Sequence, residues 1–159
     1  MRLPPNIIEQ VRAWVRAGYP SESCGLLFAR GIEDVAVRAV LVDNMADRLH
    51  AMDPVEYPRT SREYFAMNEA KVARQVREAE VVGERWLAIW HSHIDCGAYF
   101  SAEDKLTAAP DGQCVYPQLY QLVVDARADG CREAKSFRWD GRDFAHVATY
   151  PTFASASAG

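Results

Sequence analysis

The segment Trp86-Leu-Ala-Ile-Trp90 is apolar at every position. A strand with one wet face alternates apolar and polar residues, so this run predicts a central strand covered on both faces. Flanking strands and covering helices are readable on either side of it. Ile7, Ile8, Val11, Trp14 and Val15 recur at helical spacing between Pro4-Pro5 and Gly18-Tyr19-Pro20, which predicts one amphipathic helix. Cys24 to Arg30 reads as a buried strand, Gly31 to Asp34 as a turn, and Val35 to Val42 as the returning antiparallel strand. Asp43 to Pro58, with two prolines, is expected to be irregular. A second helix is expected from about Thr60-Ser61 to Ala79, with Phe65, Val72, Val76 and Ala79 inward and Arg62, Lys71, Arg74 and Arg77 outward. A short helix is expected from Ser101 to Ala109, stopped by Pro110-Asp111-Gly112. Leu119 to Asp125 and Cys131 to Trp139 add two strands, and Gly141 to Tyr150 an edge strand. The prediction is an α/β fold with a mixed, mostly non-parallel sheet flanked by helices, one domain over residues 1–150, and a flexible tail over 151–159.

Composition bears on function mainly by exclusion. The formal charge of −4 gives no electrostatic footprint for nucleic acid or an anionic membrane. No apolar run approaches the ~20 residues that span a bilayer. Met1 to Asn6 lacks the apolar stretch of a secretory signal, so a cytoplasmic location is expected. Cys24, Cys96, Cys114 and Cys131 form no C-x-x-C pair, which argues against a four-cysteine zinc knot and fits free thiols.

The chemistry is concentrated directly after the apolar strand, in His91-Ser-His-Ile-Asp-Cys-Gly-Ala-Tyr-Phe-Ser-Ala-Glu-Asp104. Residues i and i+2 of an extended segment project to one side, so His91 and His93 can converge on one metal while Ser92 faces away in a structural role. A hydrolytic zinc site needs a third protein ligand and an open position for water. Asp104 can supply that ligand if the loop folds back. Each part also has a plainer reading. Two nearby histidines fit a loop, Ser101-x-x-Asp104 fits an ordinary helix cap, and Glu22, beside a proline-containing turn, fits a solvated loop residue. His50 and His146 read as ordinary surface or strand residues.

Taken together, Glu22, His91-Ser-His93, seven residues, Ser101 and then Asp104 resemble the signature of the JAMM zinc metalloproteases, also called MPN+ or JAB-domain proteins. Pro20-Ser-Glu22-Ser-Cys-Gly25 resembles that family's first motif, and the resemblance spans roughly residues 5 to 145. It implies a deaminase-like JAB/MPN fold around one Zn2+ and hydrolysis of a peptide or isopeptide bond. It also implies that His91, His93 and Asp104 bind zinc, that Glu22 shuttles the proton, and that Ser101 hydrogen-bonds the scissile carbonyl. Family members usually carry proline after the second histidine, where this chain has Ile94. Cys96 falls inside the same loop, either as a pocket-lining thiol or as a zinc-proximal or substrate contact.

Small bacterial-type members resemble enzymes that act after the C-terminal Gly-Gly of a ubiquitin-like or sulfur-carrier protein, and that partner is expected here. The alternative from another class is a catalytically silent MPN-type interaction module in a larger complex. A nucleoside-type zinc deaminase needs H-x-E and a later P-C-x-x-C, and neither occurs in this chain.

Overall fold

A computed structural model describes residues 1–154. One six-stranded sheet runs through it in the order β2-β1-β3-β4-β5-β6. The strands are β1 (Cys24–Arg30), β2 (Ala36–Val42), β3 (Glu84–Ile94), β4 (Tyr120–Arg127), β5 (Gly130–Trp139) and β6 (Phe144–Tyr150). Every neighbouring pair is antiparallel except β3 and β4, which run parallel. A parallel pair cannot be joined by a hairpin, so the chain leaves β3, passes through the helix α4 (Ala102–Ala108) and returns to β4.

Both faces of β3 are covered, as its apolar run requires. The helix α1 (Pro5–Gly18) lays Ile7, Ile8, Val11 and Val15 over Leu27, Leu87, Trp90, Leu122 and Val124. The helix α3 (Glu69–Val81) covers the other face, where Val72 and Ala79 pack with Leu26, Phe28 and Val42. A third cluster, Ala98, Phe100, Val123, Phe137 and Phe144, lies on that same face. A register shift against β1 between Leu27 and Phe28 brings Leu87 and Ala88 both into the α1-side core. Beyond it the alternation is regular, which fixes the side to which His91, Ser92 and His93 point. Among the described residues no helix is long and apolar enough to cross a membrane.

Gly25 marks the tightest approach in the sheet. The Trp90 indole lies across it and donates from Nε1 to the Val40 carbonyl at 3.3 Å. A Cβ at position 25 would overlap that carbonyl and sit 2.6 Å from Trp90 Nε1. Gly25→Ala is therefore expected to destabilise the protein by about 2–4 kcal/mol, since the obstacles are backbone and a packed ring that cannot swing away. Urea unfolding with an unchanged slope and a lower midpoint is the check.

Four expectations are corrected. The segment read as irregular contains a helix, α2 (Ala46–Met52), of which only Ala46 is buried. It carries no apolar stripe and so gives no periodic signal. The second long helix begins at Glu69 rather than near Thr60, where Asn68 caps it by accepting from the Lys71 amide. Residues 60–68 are held by tertiary hydrogen bonds instead, and Arg62 is not on a helix. The strand expected to stop at Trp90 continues to Ile94, so the two histidines are strand residues. The flexible tail does not start at 151, because Pro151–Phe153 forms a 3-10 turn and Phe153 is fully buried in the α1-side core. Residues 155–159 lie outside the described residues.

Candidate metal centre

Three connections meet at one end of the sheet. Cys24 pairs with both Val42 and His91, so the approach to β1, the exit of β2 and the second half of β3 are level with one another. Glu22 lies two residues before Cys24 at that edge. His91 and His93 face the α3 side. Ser92 faces the other way, where its hydroxyl accepts the Ser23 amide at 2.8 Å and ties the approach of β1 to β3. The structural role expected of Ser92 is the one observed.

Asp104 reaches the histidines because α4 begins directly over them. Ser101 caps this helix by accepting the Asp104 amide at 3.1 Å, and Asp104 Oδ2 accepts the Ser101 amide at 2.8 Å, a reciprocal capping box. The same carboxylate lies 3.1 Å from His93 Nε2 and 3.3 Å from His91 Nε2. The carboxylate that caps the helix is thus also the one that faces the two imidazoles.

The two Nε2 atoms stand 3.1 Å apart. Donor atoms around a tetrahedral zinc with bonds of about 2.0–2.1 Å are about 3.3 Å from one another, and the two imidazole nitrogens, and each nitrogen with one or the other Asp104 oxygen, stand near that spacing. Two nitrogens and one carboxylate oxygen make a donor set suited to zinc and leave a coordination position open. His93 is oriented from behind, its Nδ1 lying 3.2 Å from the Gly97 carbonyl, as a ligating imidazole usually is. Among the described residues His91 Nδ1 is buried with no hydrogen-bond partner, and that ring is held by stacking on Phe65 at 4.4 Å. His91, His93 and Asp104 can together hold a metal ion.

The electrostatics without an ion are those of a crowded site. Burial pushes the His91 pKa down. Burial also acts against His93, but its contact with Asp104 prevails and the net direction is up. Burial would raise Asp104, yet the two imidazoles and the Ser101 amide hold it well below the usual carboxylate range. Glu22 is only 6% exposed, and burial raises its pKa to about 8, with His93 opposing and Asp104 adding to the rise. Among the described residues its carboxyl has no hydrogen-bond partner, so the group faces the cluster uncommitted.

What holds Glu22 there was not foreseen from sequence. Asn44 uses its whole side-chain amide: Nδ2 donates to the carbonyls of Glu22 and Tyr64 at 3.0 and 2.9 Å, while Oδ1 accepts from the Ala46 and Ala66 amides at 3.0 Å each. Ser61 adds a second clamp, its carbonyl accepting the Glu22 amide at 2.6 Å and its hydroxyl donating to Asp47 at 2.7 Å. One residue therefore joins the Glu22 segment to the stretch that carries Phe65 onto His91. Only the asparagine's position just after β2 could have drawn attention to it. Asn44→Ala strands two carbonyls and two amides, and a loss of about 2–4 kcal/mol in unfolding free energy is expected, larger than for an exposed asparagine.

Cys96 does not join the metal-binding group. It is exposed in a turn shaped by positive φ at Asp95 (59°) and Gly97 (95°). His50 and His146 are engaged elsewhere, with the Tyr57 carbonyl and the Thr149 hydroxyl.

The chain and its fold have counterparts among known proteins. Residues 4–139 match the family described as prokaryotic homologs of the JAB domain. The solution structure of a Desulfitobacterium hafniense protein superposes with a TM-score of 0.70 at 26% identity, covering 92% of this chain and 88% of that one. A Salinibacter ruber protein gives 0.63 at 20% identity, covering 93% and 89%. A JAB1/MPN domain protein from Archaeoglobus fulgidus gives 0.52 at 14% identity, covering 93% and 95%. The last two likenesses concern fold alone. Comparison with curated proteins gives no match. Because that family match spans residues 4–139, the chain belongs to the prokaryotic JAB-domain family, as an α/β single-domain member with a candidate metal centre.

Proposed function

We propose that the protein is a zinc metallopeptidase that hydrolyses a peptide or isopeptide bond after the C-terminal Gly-Gly of a ubiquitin-like or sulfur-carrier protein. The observation that carries this reading is an uncommitted, buried Glu22 carboxyl beside a His-His-Asp cluster with donor spacings near those around zinc. His91, His93 and Asp104 would hold the ion, which supplies Lewis acidity that acidifies water and polarises a carbonyl. Glu22 takes the proton of the attacking water and passes it to the departing amine. Its raised pKa suits a group that must both accept and return a proton near neutrality. The Ser101 oxygen already accepts the Asp104 amide, which leaves its hydroxyl proton to donate to the scissile carbonyl oxygen. Four free thiols agree with action in the cytoplasm.

The test uses zinc-loaded protein and a ubiquitin-like protein extended by a few residues beyond Gly-Gly. Mass spectrometry should find a product ending at Gly-Gly, formed with zinc and absent with a chelator. Intact substrate after incubation with fully loaded protein would overturn the reading, and partner binding that persists without metal would point to a silent interaction module.

A further inference from the structure

A polar clamp stands behind the turn that follows the second histidine. Asp95, the first residue after β3, has φ 59°, a region that a residue with a Cβ leaves readily unless its surroundings hold it there. It is held from both α1 and β4. Its amide donates to the Ala126 carbonyl at 2.9 Å, and its carboxylate accepts the Tyr19 hydroxyl at 2.8 Å. Its carbonyl accepts from Arg127 Nη1 at 2.9 Å. The guanidinium is in turn aimed by Asp125. Nη2 donates to Oδ2 at 3.1 Å, and Nε stands 2.8 Å from Oδ1 as a close ion pair without hydrogen-bond alignment. Asp125 is buried and is the ladder partner of His93 on β4. Val124 and Ala126 on either side of it point into the α1-side core, so its carboxylate points to the face of the histidines. A buried ion pair is a weak source of stability, which leaves this one in need of another purpose.

We infer that Asp125 and Arg127 are positioning residues for the metal centre, fixing the turn so that the Gly97 carbonyl stays against His93 Nδ1. The need for them lies in the imidazole's single proton. Two acceptors compete for it in the neutral ring: the Gly97 carbonyl, 3.2 Å from Nδ1, and Asp104 Oδ2, 3.1 Å from Nε2. Only the first placement leaves the Nε2 lone pair free for an ion. A turn that drifts takes the carbonyl away and lets the proton settle on Nε2, where it blocks coordination. Gly97, at φ 95°, brings no side chain to stiffen the turn, so its carbonyl depends on the hold at Asp95. Arginine suits this task because one planar fork serves Asp125 and the Asp95 carbonyl together, which a lysine ammonium does not reproduce. The inference rests on the metal-binding part of the proposed function and is independent of which bond is cleaved.

The experiment measures zinc affinity of the full chain by competition with a chromophoric chelator, and the proton NMR signal of His93 Nδ1–H in the zinc-loaded protein. Arg127→Lys should weaken zinc binding about 10-fold, as loss of a group that orients a ligating histidine usually does. Its Nδ1–H signal should move upfield and exchange faster with water. Tyr19→Phe, which frees only the Asp95 carboxylate, should act in the same direction but less. Gly97→Ala tests the same link from the other side, since the added Cβ meets nothing within 4 Å and only the positive φ opposes it. It should also cost about 10-fold in zinc affinity, and combined with Arg127→Lys it should cost far less than the product of the two. Arg132→Ala, which breaks the pair with Asp129 beside the β4–β5 turn, should leave both readouts unchanged. A folded Arg127→Lys protein with unchanged zinc affinity and an unchanged Nδ1–H signal overturns the inference, as does a double variant whose loss equals the product. A wild type that binds no zinc overturns it together with the metal centre. Zinc uptake with the expected shifts but no cleavage supports it and counts only against the peptidase reading.

Discussion

Glu22→Gln is expected to give a protein that resists unfolding better without metal and hydrolyses nothing. Both effects come from one carboxyl. Burial raises its pKa from 4.5 to about 8, so the folded state holds a proton there that the unfolded chain has already lost. Between those two values the folded state binds more protons than the unfolded state, and stability must fall as pH rises through that window. The full shift sets a ceiling near 5 kcal/mol at about 1.4 kcal/mol per pKa unit, and water in the cleft brings the expected gain for Gln at pH 8 to about 2 kcal/mol. His91, His93 and Asp104 also titrate differently in the folded state. The difference in pH slope between the two metal-free proteins nonetheless isolates Glu22. Glutamine keeps the shape and cannot carry the proton, so turnover should fall by about 10²–10⁴-fold. Thermal unfolding at pH 5 and pH 8, with cleavage measured on the same samples, checks both signs. A variant that is less stable at pH 8 would contradict the account of a strained, desolvated base.

This conflict between stability and chemistry marks the boundary of what could be read from the chain. The apolar Trp86–Trp90 run, the α1 stripe and the β1–β2 hairpin were readable because each buries a periodic or continuous apolar surface, and the structure places them as expected. The spacing of His91, His93, Ser101 and Asp104 was readable because a strand, a turn and a helix cap confine them within fourteen residues of sequence. The 43–68 excursion was not. Its order comes from the Asn44 amide and the Ser61–Asp47 bond, which link positions 14 to 22 residues apart and leave no period in the sequence. Phe65 shows the consequence. Its spacing to Val72 and Val76 suggests a helix stripe, yet the clamp at Asn44 carries it away from α3 and onto the His91 ring.

Zinc should raise the melting temperature by about 6–15 °C at a free concentration 100 to 1,000 times its dissociation constant. Binding to the folded state alone adds about 2.7–4.1 kcal/mol under those conditions, and a domain of this size gains about 2–4 °C per kcal/mol. The effect should vanish in His93→Ala, which removes the nitrogen that touches both other ligands. Asp104 separates two contributions that its geometry combines. Asp104→Ala loses the ligand and the bond to the Ser101 amide, so the metal-free protein should already be destabilised by about 1 kcal/mol, the usual cost of a broken cap. Asp104→Asn keeps a carbonyl oxygen that can accept the same amide but brings no charge to the metal. It should therefore unfold close to the wild type without zinc and gain far less from zinc. If all three variants kept the full shift, zinc would be binding elsewhere. If Asn behaved like Ala without metal, the carboxylate's charge rather than its hydrogen bond would be what holds the start of α4 over the histidines.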